Sequence, residues 1–172
     1  MKPNIKHMTM LALFTTLALA IYSIEAAIPP LVPIPGIKLG LANIITLIVL
    51  RNFSAKDAFC VLIMRILLAS FLFGQAISML YSLSGGILCL IVMLLINKFL
   101  QGHCLFITGI FGALSHNAGQ LVVAILLTSS VAPLSYVPFF VISGCITGFF
   151  TGLCATFAQI HLGKLFRSQA IQ

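Results

Sequence analysis

Charge is scarce in this chain of 172 residues, and acidic charge is almost missing: Lys and Arg total nine, Asp and Glu two, and charged residues make up 6% of the whole. A globular domain typically carries about 25% charged residues, so the chain cannot cover a water-facing surface in the usual way. The two acids, Glu25 and Asp57, are too few for the aspartate-rich magnesium site that diphosphate chemistry needs. No GxxxxGK[ST] phosphate loop occurs, which excludes ATP hydrolysis by that route. The five cysteines (Cys60, Cys89, Cys104, Cys145, Cys154) follow no CxxC or ligand-like spacing. Four of them fall in apolar runs, where free cysteine behaves as a small hydrophobe, so neither a metal site nor a disulfide framework is expected. A Ser–His–Asp grouping finds no support either, because the sole Asp stands beside Lys56 at the edge of an apolar run. The sequence therefore assigns no catalytic residue, no cofactor and no metal. Any energy source would be a partner or an ion gradient, with proton coupling through Glu25 and His116 left open.

What is abundant is apolar surface: 61% of residues are hydrophobic and mean hydropathy is +1.22. Crossing about 30 Å of hydrocarbon takes roughly 20 residues, and six apolar segments can be read, at 9–28, 37–51, 55–73, 76–97, 104–128 and 135–160. These segments use nearly the whole chain, which predicts an all-α integral membrane protein: a six-helix bundle forming a single transmembrane domain over 1–172. The second segment is short and follows Ile28-Pro29-Pro30-Leu31-Val32-Pro33-Ile34-Pro35-Gly36. Prolines at that density cannot continue a helix, so 28–36 is predicted to be a rigid extended loop that caps the bundle or dips into it. Non-helical backbone at such a depth needs cover from protein or a water-filled cavity.

A net charge of +7 would suggest nucleic acid in a soluble protein. Here the basic residues are scattered at helix ends, so they report topology instead, and no nucleic-acid partner is expected. Lys2 and Lys6 precede the first segment, Arg51 and Lys56 join the second to the third, Lys98 follows the fourth, and Lys164 and Arg167 follow the sixth. The alternate connections at Gly74-Gln75 and Thr128–Ser135 carry no basic residue, and only Lys38 breaks the pattern. Retention of positive charge in the cytoplasm predicts cytoplasmic N- and C-termini and an even number of spans. A cleavable secretory signal competes for the first segment, since Glu25-Ala26-Ala27 ends it with small residues. The run is long for a signal, and cleavage would spoil the charge alternation.

Within the sixth segment Gly144, Gly148 and Gly152 recur every four residues, a small-residue ridge that lets a second helix approach closely. A weaker ridge, Ala12, Thr16 and Ala20, runs along the first and could pack internally or dock a partner protein. In the fifth, Gly109, Ala113, His116 and Gln120 share one face, with Asn117 beside them. Adjacent polar side chains in mid-membrane must face the bundle interior. Glu25, Asn43 and Arg65 join them, with Lys38 at the mouth of the second segment. A guanidinium as deep as Arg65 needs a partner: Glu25, helix carbonyls, water or a ligand. Two roles are open for this set. The groups satisfy one another as internal struts, or Lys38, Arg65 and His116 present positive charge to an anionic ligand entering beneath the proline loop.

The stretches Gly36-Ile37-Lys38-Leu39-Gly40-Leu41-Ala42-Asn43, Arg65-Ile66-Leu67-Leu68-Ala69-Ser70 with Phe73-Gly74, Ser82-Leu83-Ser84-Gly85-Gly86, Ser115-His116-Asn117-Ala118-Gly119-Gln120, and Ser143-Gly144 with Thr147-Gly148 resemble the Gx transporter family, which also goes by heptaprenyl diphosphate synthase component I. The resemblance runs in order over nearly the whole chain. That family is similar to the substrate-binding membrane subunits (S components) of energy-coupling-factor transporters. By resemblance, this implies a multi-pass protein of the bacterial plasma membrane that captures a small anionic or amphipathic molecule from outside. Lys38, Asn43, Arg65, His116, Asn117, Gln120 and Glu25 would bind it under a proline lid. Ala12, Thr16 and Ala20 would dock a transmembrane coupling subunit that works with ATPases. The synthase-component name instead implies an accessory of polyprenyl diphosphate and menaquinone biosynthesis that contacts a membrane lipid, and some members look linked to flavin- or quinone-dependent extracellular electron transfer.

Overall fold

The computed structural model describes residues 5–28, 37–74, 76–100 and 104–169, with side chains as far as His161. Six α-helices follow one another: α1 (Ile5–Ala27), α2 (Asn43–Asn52), α3 (Ala55–Phe73), α4 (Ala76–Phe99), α5 (Leu105–Thr128) and α6 (Val137–Gln169), with a 3₁₀ turn at Ala132–Tyr136 leading into the last. No strand occurs among the described residues. Four stretches are long and apolar enough to cross a membrane: Ile5–Ala27, Ala76–Phe99, Leu105–Thr128 and Ala132–His161.

Polarity is inverted relative to a water-soluble bundle. Phe71, Phe99, Leu126 and Ile142 are among the many large apolar side chains on the outside, while Glu25, Arg65, His116 and Gln120 are buried. Only a hydrocarbon solvent makes that distribution favourable. The chain is a helical membrane protein.

The second predicted segment differs most from expectation. Its helix starts at Asn43, not at 37, and spans 10 residues, a rise of about 15 Å. That is half the thickness of the hydrocarbon core. Residues 37–40 are non-helical, and Gly40 takes a left-handed φ of +79°, which a side chain would strain. The two N–H groups that would extend the helix backwards, at Gly40 and Leu41, are held by the Glu25 carboxylate. The proline stretch 29–36 lies outside the described residues.

Short as it is, α2 is the hub. It packs against α1, α3, α4, α5 and α6, whereas the backbone of α1 comes close only to α2 and α3 among the described helices. Leu47, Val49 and Leu50 of α2 are fully or nearly fully buried with Val61 and Leu62 of α3, Met93 of α4 and Phe14 of α1. Around this hub α3, α4, α5 and α6 pack in succession.

Glycine sets the closest helix contacts. A Cβ on Gly152 would lie 2.1 Å from Phe106 Cα, and one on Gly148 would lie 2.4 Å from Ile110 Cα. The predicted ridge on α6 is therefore consumed by α5, and dispersion at this distance replaces the hydrophobic drive that lipid does not supply.

At the end of the bundle where α1 begins, Ser54 and Asp57 form a capping box at the start of α3. Asp57 also bonds His7 Nε2 at 3.0 Å, and the His7 and Phe14 rings pack edge-on against Phe53. This clasp ties α1 to the α2–α3 corner. The box was legible in the spacing Ser54-x-x-Asp57, but its partner His7, fifty residues away, was not.

Candidate functional site

The opposite end of the bundle gathers the polar residues. Tyr22 near the end of α1 bonds Ser78 in the first turn of α4 at 3.1 Å and stacks at a tilt on Phe73 at the end of α3. Next to it, Glu25 Oε1 accepts from Gly40 N–H at 2.5 Å and Oε2 accepts from Leu41 N–H at 3.1 Å. An acid at the start of α2 is favoured there by the positive end of the helix dipole. The Lys38 ammonium lies 3.6 Å from the centre of the Tyr22 ring, a cation–π distance.

From there the network runs to the middle of the bundle. Arg65 Nη2 donates to Asn43 Oδ1 at 3.5 Å. Asn43 Nδ2 lies 3.1 Å from His116 Nδ1. Because a guanidinium can only donate, Asn43 must turn its oxygen to Arg65 and its amide hydrogens to His116, whose Nδ1 is then assigned as an acceptor. A Cβ on Gly40 would fall 2.8 Å from the His116 ring, and one on Gly85 of α4 would fall 2.8 Å from its other side. The imidazole is clamped between two glycines from different elements.

The structure thus joins Glu25, Lys38, Asn43, Arg65 and His116, but not in the pairs expected. Glu25 is spent on backbone N–H groups. It makes no direct ion pair with Arg65 or Lys38, although both act on it electrostatically. Asn117, expected in the same cluster, turns away: its Nδ2 donates to Phe140 O at 2.8 Å and approaches Ser143 Oγ at 3.5 Å, stapling α5 to α6. The reason is the helical step, since 100° from His116 carries Asn117 off the α4 side and onto the α6 side of α5. Gln120 keeps the face of His116, one turn further along.

Several of these groups are incomplete. Lys38 Nζ, Arg65 Nε and both amide atoms of Gln120 are buried with no hydrogen-bond partner among the described residues. Gln120 is 0% exposed and Arg65 3%. Buried polar groups in native proteins are nearly always paired, so these four atoms stand out; Arg51 Nε and Asn97 Oδ1, outside this set, share the condition among the described residues. Sequence reasoning missed Tyr22 and Ser78, which line the same region; a tyrosine and a serine in apolar helices give no distinctive signal.

On α1, Ala12, Thr16 and Ala20 are all exposed, and Thr16 Oγ1 satisfies itself on Ala12 O at 3.0 Å. Among the described residues no helix covers them.

The fold and site define a small helical membrane protein with a buried, partly unsatisfied polar cluster beside a half-length helix. Residues 14–158 match the family model for heptaprenyl diphosphate synthase component I, and the chain belongs to that family. The family's name describes one component of a heptaprenyl diphosphate synthase. No curated protein and no solved structure matches the chain.

Proposed function

We propose that the chain is the membrane-embedded substrate-binding subunit of a transporter, a single transmembrane unit that takes up a small anionic or amphipathic molecule from outside. The observation that carries this is the set of orphaned polar atoms on Lys38, Arg65 and Gln120, grouped around Asn43, His116 and Glu25. Ligand sites combine an apolar shell with a few converging polar groups, and intramembrane ionisable groups are functional by default. Cytoplasmic termini, as the basic residues predict, together with six passes of the chain would give this cluster a position in the outer half of the membrane.

The exposed Ala12–Thr16–Ala20 stripe supports a docking face for a coupling subunit that serves ATPases, because small residues permit close helix approach in lipid. The family name favours a second function, a non-catalytic membrane accessory of polyprenyl diphosphate and menaquinone synthesis or of flavin- or quinone-dependent electron transfer.

Purification in mild detergent, followed by mass spectrometry of both retained proteins and retained small molecules, separates the two. The transport function predicts a water-soluble solute, together with a coupling subunit that is lost when Ala12, Thr16 and Ala20 are each replaced by Leu. Retention of a prenyl lipid and a soluble synthase subunit, insensitive to those replacements, would sink it.

A further inference from the structure

The cluster contains two cations and one carboxylate, and their arrangement restricts the charge of whatever fills it. Lys38 and Arg65 are the basic residues there. Arg51 and Lys56 lie at the α2–α3 corner and Lys98 at the end of α4, all away from Glu25. Glu25 is the one nearby acid, because Asp57 is held by Ser54 and His7 at the other end of the bundle. One positive charge is therefore left without a counter-ion, and an isolated charge in a low-dielectric interior is strongly unfavourable. The positive end of α2 points the same way.

Resting on the substrate-binding function proposed above, we infer that the ligand is an organic monoanion, a single carboxylate on a largely apolar body, and not a diphosphate. The carboxylate meets Lys38 Nζ and Arg65 Nε, the two cationic donors of this cluster with no hydrogen-bond partner among the described residues. A point-charge ammonium and a guanidinium N–H suit one carboxylate group. Gln120 offers an unpaired donor and an unpaired acceptor one turn beyond His116, so the body carries a second polar group that both donates and accepts, such as an amide. Tyr22 and Phe73 supply an aromatic wall. A diphosphate, with two to three negative charges, would bring one or two too many. It would also need a magnesium ion, for which neither acid is free.

Calorimetric titration of the full chain in lipid nanodiscs, using hexanoate, hexyl phosphate and hexyl diphosphate (the last with and without magnesium), tests the charge. Hexanoate should bind at least tenfold more tightly than hexyl diphosphate, and Lys38→Met should weaken hexanoate at least tenfold. Glu25→Gln, which adds one uncompensated positive charge, should shift preference toward hexyl phosphate. Any molecule that native mass spectrometry ejects from the purified protein should carry one carboxylate. Tighter binding of hexyl diphosphate, or hexanoate binding untouched by Lys38→Met, overturns the inference while leaving a receptor function standing. If no probe binds and nothing is ejected from folded protein, the receptor function fails and the inference falls with it.

Discussion

Replacing Gln120 by methionine tests whether the polar cluster is built for a ligand or only for itself. Methionine keeps the length and flexibility of the side chain while removing both amide atoms. In the structure Gln120 is fully buried, and neither its Nε2 nor its Oε1 has a hydrogen-bond partner among the described residues. An unpaired buried amide costs about 1–3 kcal/mol in protein mutational data. In a bilayer the reference state also finds partners, and hydrogen-bond effects average nearer 0.6 kcal/mol. The ligand-free Gln120→Met protein should thus be more stable than wild type by about 1 kcal/mol, or ~2–4 °C in a thermal melt for a chain of this size. The same variant should retain less of the co-purifying small molecule. Circular dichroism melts in detergent, before and after ligand removal, give both values. A ligand-free variant less stable than wild type by more than about 1 kcal/mol would mean the amide is satisfied inside the protein, and the reasoning from orphaned atoms would be refuted.

Other perturbations probe different parts of the fold. Gly152→Ala places a methyl 2.1 Å from Phe106 Cα, so α5 and α6 must part; overpacking of this kind costs about 1–3 kcal/mol or more, readable as a lowered midpoint in detergent-induced unfolding. Asn43→Ala strips the acceptor from Arg65 and the donor from His116 and should cost about 1–3 kcal/mol in the same assay. Asp57→Ala removes the capping box and the His7 contact; thermal melting should show a loss of about 0.5–2 kcal/mol, whereas ligand retention should be unchanged because the clasp lies at the far end of the bundle.

Much of this protein is legible in one dimension. Scarcity of charge and runs of apolar residues determine that it is a helical membrane protein, because a backbone in hydrocarbon must satisfy its own hydrogen bonds. Five of the six helices begin within four residues of where those runs begin. The α6 ridge was equally plain, since a four-residue glycine period is a local property. Burial of Arg65, His116 and Gln120 also followed from sequence alone, as lipid excludes such groups from the outer surface.

The tertiary structure alone decided how those groups are partnered. That α2 is a half-length hub depends on Glu25, fifteen residues before Gly40, capturing the N–H groups that would have prolonged it. That Asn117 staples α6 while Gln120 stays unsatisfied depends on which helix lies on each side of α5. Composition and periodicity report what a side chain must avoid; its partner is set by chain segments far away in sequence, and only their packing supplies or withholds it.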